Sequence, residues 1–415
     1  MSAQSAAPSS SIGWRTPALI IICGCVIAML GFGPRSSLGF FLTPMSQLHN
    51  WGRDVFALAL AVQNLLWGVG QPFAGAVADR YGPTRVLAGG ALLYAAGLFL
   101  MAYSTTPSTL TLSAGVLIGF GLSGCSFTIV VGAFGKLLPD EWRSTAFGLG
   151  TAAGSFGQFL FSPLAVALIG SVGWYGALVV FSLLMLIILP LSIVLSAPRK
   201  SAAAAAAAAP AQSYKQALTE AFGHRSYILL VLGFFTCGFQ LAFTTVHLPA
   251  YLLDRGLSAQ VGGWTVAAIG LFNIVGSVTS GYLGSRMPKR YILSIIYFSR
   301  AASIAAFVLL PVTTTTTLIF GAVTGLLWLS TVPPTSSLVA VMFGTRWLAM
   351  LFGIAFFSHQ VGGFLGVLLG GLAYDHFGTY DPVWWLGVAF GIISALINLP
   401  IVEEPVSRPL VPAAA

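Results

Sequence analysis

Long apolar runs broken by short polar turns recur twelve times along this chain. Each is about 20 residues long, which is what a helix needs to cross roughly 30 Å of hydrocarbon. The pattern predicts spans at 17–41, 54–77, 86–104, 109–133, 144–168, 174–196, 226–250, 261–284, 291–311, 316–341, 349–374 and 383–402. One long break, Ala197 to Arg225, separates the sixth span from the seventh. It holds Arg199 and Lys200, a run of eight alanines, Pro210, and a polar segment from Ser213 to Phe222 suited to an interfacial helix. The expected organisation is a tail over 1–16, a six-helix bundle over 17–196, a linker over 197–225, a second six-helix bundle over 226–402 and a tail over 403–415. The first sixteen residues lack an Ala-x-Ala-type cleavage site, so the first span is read as a helix that stays in the protein. The fold class is an all-α membrane protein.

Composition agrees. Hydrophobic residues make up 57% and charged residues 7% of the chain, against roughly 25% charged in a soluble domain. A water-exposed surface cannot be built from that mixture, and lipid must solvate much of it. The formal net charge of +8 looks like a nucleic-acid signature until the eighteen basic residues are placed. With Met1 in the cytoplasm, fourteen fall on cytoplasmic segments: Arg15, Arg80, Arg85, Lys136, Arg143, Arg199, Lys200, Lys215, Arg225, Arg286, Lys289, Arg290, Arg346 and Arg408. Two fall outside (Arg53, Arg255) and two inside spans (Arg35, Arg300). Lys and Arg in short loops set orientation. The charge is therefore topological: both termini are expected in the cytoplasm, in a multi-pass protein of a bacterial inner membrane, with no nucleic-acid partner. Cys23, Cys25, Cys125 and Cys237 all lie in spans, and Cys23 and Cys25 point to different helix faces. Neither disulfide, metal site nor cofactor is expected, and no nucleophile–base constellation suggests an enzyme.

The halves repeat at an offset near 205. Pro44 matches Pro249, Gly148 and Gly157 match Gly353 and Gly362, and Gly75, Asp79, Arg80 and Arg85 match Gly281, Ser285, Arg286 and Arg290. The stretch Gly75-Ala-Val-Ala-Asp79-Arg80-Tyr-Gly82-Pro-Thr-Arg85 closely resembles the loop signature of the major facilitator superfamily, and its degenerate second copy stands in the expected place. The resemblance covers essentially the whole chain. It implies two pseudo-symmetric six-helix bundles with a substrate site between them near the midplane, and a gating role on the cytoplasmic side for Asp79, Arg80, Arg85, Arg143 and Arg286. Two further stretches, Trp142 to Gly157 and Pro34 to Phe41, resemble the monocarboxylate porter branch, which includes oxalate/formate exchangers. Two features of that branch are missing: its acidic-Gly-Gly-aromatic signature before the first span, and its eighth-span Asp and Arg pair, where this chain reads Phe272 to Ser277.

No Asp or Glu lies deep in any span, yet two arginines do. A guanidinium at membrane depth costs roughly 2.5–3.5 kcal/mol on insertion scales, so it must face protein interior or water. With no nearby acid, an anionic ligand is the cheapest counter-charge, and arginine's planar fork binds a carboxylate bidentately. Arg35, after Pro34 on the first span, is the leading substrate anchor, against a structural arginine bonding helix carbonyls. Arg300 divides evenly between a second cavity cation and a packing arginine. Gln240, at offset 205 from Arg35, is expected to face the same cavity, and His359 and Gln360 sit near the midplane of the eleventh span. Such a histidine could move a proton or bond the anion. Asn273 joins the set, and Phe127 and Trp328 could shape the cavity, as could Phe32, Phe159, Tyr251 and Tyr297. His247 reads as a helix-end histidine. The function expected is secondary transport of a small organic anion, a carboxylate, by proton symport or anion exchange, with a monomer in the bilayer and protons as a second partner. The alternative is an efflux transporter of drugs or metabolites, but the exporters' fifth-span Gly-x-x-x-Gly-Pro signature and embedded acid are absent. A non-transporting receptor would call for a large soluble domain.

Overall fold

A computed structural model describes residues 15–196, 214–344 and 347–406, without the side chains of Asp79, Asp140, Ser144, Tyr214 and Ala349. The described residues form helices and no strands. Eleven helical runs are long and apolar enough to cross a membrane. The fifth, Glu141–Val194, has 54 residues, about 80 Å at 1.5 Å per residue, far more than one bilayer. It turns at Gly173, whose φ of 74° and ψ of 167° suit a residue without a Cβ. The run therefore makes two crossings, the fifth and the sixth, and the protein twelve.

Helix starts follow local rules. Thr16 caps the first crossing by accepting from the Leu19 amide at 3.2 Å, with Pro17 at the first helical position. The first crossing passes Pro34, tightens into a 3₁₀ turn at Leu38–Phe41 and continues to His49, beyond the expected end at residue 41. Asn50, at φ 54°, stops it. The second crossing is Arg53–Tyr81, the third Pro83–Ala102 and the fourth Pro107–Leu137. After a short helix, Tyr214–Gly223, on the predicted interfacial segment, come the seventh (Arg225–Asp254), eighth (Ala259–Gly284), ninth (Lys289–Leu309), tenth (Thr314–Phe343), eleventh (Leu348–Phe377) and twelfth (Asp381–Asn398).

The repeat is visible in structure. The fourth and tenth crossings both open on reciprocal threonine capping boxes, Thr106 with Thr109 and Thr313 with Thr316. Both also break midway, at Cys125–Ser126 and at Trp328–Thr331. A continuous apolar run hides such breaks, because the carbonyls they free are satisfied from neighbouring helices. Gly157 and its mate Gly362 mark equivalent close approaches: an added Cβ would strike Met29 O on the first crossing and Phe235 O on the seventh.

Two apolar cores result. One gathers buried residues from Ile20 to Leu195, joined by Ala242, Val246, Ala250, Val266 and Val367. The other runs from Ala221 to Ile401. They meet along a seam in which the second crossing packs on the eleventh and the fifth on the eighth.

Candidate functional site

The seam is shut at the end where the second crossing begins. Arg53 donates to both carboxylate oxygens of Asp254, at 2.6 and 2.7 Å, and to Tyr380 OH at 2.7 Å, with its guanidinium 3.6 Å over the Tyr374 ring. The first amides of a helix have no partner within it. Here the N–H groups of Arg53 and Asp54 donate to Asp375, at 3.0 and 2.7 Å, a carboxylate on the eleventh crossing. The second crossing is thus capped by the other bundle. Further along, Gly371 packs on Ala57, Gly363 on Asn64, and Gln360 on Gly68, while Gly263 and Gly270 approach the fifth crossing. Beyond Gly68 the seam parts: an added Cβ at Gly75, Gly148, Gly154 or Gly353 would meet nothing within 4 Å. The protein is therefore closed at the Arg53 end and open at the Gly82 end.

Arg35 lies at the seam, on the half-turn after Pro34. Its Nη2 donates to Asn64 Oδ1 at 2.5 Å, and Asn64 is held in turn by Leu60 O at 2.8 Å. The guanidinium lies 4.8 Å from the Trp67 ring and 5.7 Å from Phe32, cation–π contacts that supply only part of a counter-charge. Its Nε is buried without a partner, and no acidic side chain pairs with it among the described residues. Across the seam, Phe356 packs edge-on to Trp67 at 5.5 Å and stacks on His359 at 5.7 Å. His359 Nδ1 bonds Gln360 Oε1 at 3.0 Å, leaving Gln360 Nε2 buried and unpartnered. The arrangement offers a cation with spare donors on one wall and an amide donor with an imidazole on the other.

The remaining predicted residues are dispersed. Arg300 spends its Nε on Leu327 O at 3.0 Å and its Nη2 on the carbonyls of Leu327 and Trp328, covering the carbonyls freed by the break in the tenth crossing. Gln240 turns from the seam to the twelfth crossing, donating to Gly387 O at 2.9 Å. Gln240, Arg300 and Trp328 share a small cavity inside the second bundle. Asn273 donates to Ser155 at 2.8 Å and accepts from the Leu329 amide at 2.9 Å, tying the eighth crossing to both the fifth and the tenth. Phe127 starts the lower half of the fourth crossing, against Gly150. His247 is no helix-end residue: it is fully buried, and its Nε2 bonds Val367 O at 2.8 Å. At the open end, Arg80 and Arg286 lie over the rings of Tyr81 and Tyr282 at 5.3 and 4.5 Å, Arg85 is exposed, and Arg143 donates to Leu138 O at 2.9 Å. The Asp79 side chain lies outside the described residues.

Sequence reading missed Asn64, Trp67, Phe356 and the whole Arg53 cluster. A signal for the first existed: Gln63, Asn64 and Gln71 interrupt the second crossing, which at a mean hydropathy of 1.2 is the least apolar of the spans. Nothing local pairs Arg53 with Asp254, 201 residues away.

Known proteins agree with this architecture. The chain is 28% identical over 373 residues to the uncharacterized MFS-type transporter YcxA of Bacillus subtilis (strain 168), covering 88% of this chain and 90% of the relative. It is 26% identical over 412 residues to monocarboxylate transporter 13 of Rattus norvegicus, covering 95% and 90%. In fold it resembles a bacterial homologue of the human lysosomal transporter Spinster, in an inward-facing, unoccupied conformation, with a TM-score of 0.74 at 15% identity over 94% of this chain and 97% of that one. The D-xylose-proton symporter gives 0.70 at 16% identity, over 94% and 98%. The model of the Major Facilitator Superfamily matches residues 24–367. With twelve crossings, a repeated half and a seam open at one end, the chain belongs to the Major Facilitator Superfamily and is a multi-pass membrane transporter.

Proposed function

We propose that this transporter carries a small organic anion, a carboxylate, held at the seam by Arg35. The observation that carries the reading is a guanidinium at membrane depth whose one hydrogen-bond acceptor is a neutral amide, Asn64, and whose Nε is left over. A carboxylate supplies both the missing charge and two acceptors in the geometry of the guanidinium fork. Gln360 Nε2 and His359 complete the opposite wall. The naming of relatives as monocarboxylate transporters supports the class. Arg300, bonded through Nε and Nη2 to backbone carbonyls, and Gln240, bonded to the twelfth crossing, shape the second bundle. Transport follows by rocking the bundles about the seam, with Arg53 closing one mouth and Asp79 and Arg80, at the end of the second crossing, with Arg85, Arg143 and Arg286 closing the other. The seam is complete within one chain, so a monomer suffices. Coupling to protons and exchange against a second anion both fit this site.

A thermal-shift screen of purified protein against lactate, pyruvate, oxalate and aromatic acids tests the reading. A ligand at 100 times its Kd stabilises the native state by about 2.7 kcal/mol, so one member should raise the melting temperature by several degrees. No shift with any carboxylate at millimolar concentration would overturn the class.

The distribution of charge sets the Gly82 end, the linker and both termini in the cytoplasm, and the open state is then inward-facing in a bacterial inner membrane. A cysteine substituted for Ser213 is expected to resist a membrane-impermeant maleimide in intact cells and to react in lysed cells. Labelling of intact cells would invert the topology.

A further inference from the structure

Gln71, one turn beyond Trp67 on the same face of the second crossing, ties the wall of the seam to the broken fourth crossing. Its Oε1 accepts from the Trp67 indole N–H at 3.1 Å. Its Nε2 donates to Ser126 Oγ at 2.8 Å and to Thr128 Oγ1, and those two hydroxyl oxygens lie 2.9 Å apart. An indole N–H can only donate, so the partners fix which way the amide faces. Ser126 stands at the N-cap of the lower half of the fourth crossing, where a serine oxygen ordinarily accepts from the first amides of its own helix. Here it makes no such bond and serves Gln71 instead. The Trp67 backbone is pinned from the same crossing, since Ser123 Oγ donates to Trp67 O at 3.0 Å. A helix end has given up its cap to hold one side chain of its neighbour.

We propose that Gln71 is a positioning residue that latches the Trp67 indole in front of Arg35, and that Trp67 with Phe356 is an inner gate selecting carboxylates by size. The proposal rests on the anion reading of Arg35. Its reason is position along the seam. From the open end the seam is parted as far as Gly68. Arg35 lies one turn deeper, bonded to Asn64. Between them stand Trp67, 4.8 Å from the guanidinium, and Phe356, which meets Trp67 edge-on at 5.5 Å from the other bundle. Phe32, one turn nearer the open end on the first crossing, covers the guanidinium at 5.7 Å. An anion entering from the open end reaches Arg35 when the indole swings aside. That swing breaks the bond from the indole N–H to Gln71, and the width it opens decides which carboxylates pass. Gln71 itself touches no substrate; it acts through Trp67.

The first measurement needs no substrate. Purified protein is treated with diacetyl, a small arginine-selective diketone, and modification of Arg35 is followed by peptide mass spectrometry against the exposed Arg85. Gln71→Leu keeps the bulk and removes the bonds to Trp67, Ser126 and Thr128. It should speed modification of Arg35 about two- to tenfold, the worth of one hydrogen bond. An unchanged rate overturns the latch. Trp67→Phe keeps a ring but not the N–H, so adding Gln71→Leu to it should give no further increase. A further increase means that Gln71 acts elsewhere, and overturns the latch as well. Where Gln71→Leu does not fold, Ser126→Ala with Thr128→Val removes its anchors and should change the rate in the same direction, an unchanged rate again overturning the latch. In transport, Gln71→Leu should raise kcat/KM for phenylpyruvate relative to lactate by about the same two- to tenfold. A structural defect lowers both alike, and an unchanged ratio overturns the gate. If no carboxylate binds while Arg35 modification still rises, the anion reading falls and the latch stands.

Discussion

Arg35→Ala is expected to abolish uptake of the carboxylate that best stabilises the protein, and Arg35→Lys to weaken it substantially. The alanine variant leaves a buried carboxylate facing Asn64 and two aromatic rings with no counter-charge. Truncating one partner of a buried, hydrogen-bonded charge pair costs about 2–5 kcal/mol, roughly 30- to 5,000-fold in affinity. Lysine restores the charge but not the fork, and it cannot make the parallel pair of bonds. Binding measured by thermal shift, and uptake measured in parallel, should fall in the order wild type, Lys, Ala. Expression and melting temperature without ligand serve as controls for folding. If the alanine variant transports at the wild-type rate, Arg35 is a structural arginine and Arg300, through its spare Nη1, becomes the first cation to test.

Arg53→Ala should shift the protein toward the state opened at the Arg53 end. One side chain there makes two charge-assisted bonds to Asp254, a third bond to Tyr380 and a stacked contact on Tyr374, and it is only 12% exposed, with Asp254 at 29%. All three partners belong to the opposite bundle, so the whole interaction is present in one state and absent in the other. A difference of about 2–3 kcal/mol between states changes their ratio by roughly 30- to 150-fold. Spin labels at the exposed Leu48 and Phe377, one on each bundle, should give a single short distance in wild type and an added longer population in the variant. Asp254→Asn should do the same more weakly, since Tyr380 and Tyr374 remain. An unchanged distance distribution in Arg53→Ala would mean that apolar packing, such as that of Gly371 on Ala57, holds this end shut without it.

How much of this was legible in the sequence depends on the range of the interaction. Apolar length gave the crossings, because the lipid constraint acts residue by residue along one helix. The repeat was legible too: Gly157 and Gly362 occupy equivalent close approaches, and Gly148 and Gly353 both stand in open space. The break at Cys125–Ser126 was not, since it carries no proline and keeps its hydropathy, whereas the break at Trp328–Thr331 is marked by Pro333 and Pro334 directly after it, which donate no backbone N–H. The turn at Gly173 was legible, since it falls in the gap between the spans predicted at 144–168 and 174–196. Arg35 and Arg300 looked alike as lone intramembrane cations. What separates them is whether free carbonyls lie within reach, and those carbonyls come from a break whose one mark in the sequence is the pair Pro333 and Pro334. Gln240 and Asn273 were placed by symmetry and polarity, yet contacts with Gly387 and Ser155 decide where they point. The partners of Arg53 are the extreme case, brought together only when two bundles dock.

Asp375 has one more consequence. Because it caps the second crossing from the opposite bundle, separating the bundles does not merely break a bond; it polarises the mouth. One rim then carries Arg53, balanced by Asp54 in the same turn, and two uncapped amides at the positive end of a helix dipole. The other carries Asp254 and Asp375, both without a cationic partner, beside the Arg255–Asp381 pair. An arriving anion is repelled from the second rim and drawn to the first, which lies on the same bundle as Arg35. Capture would therefore be steered along one wall, at a rate that falls as ionic strength on that side rises.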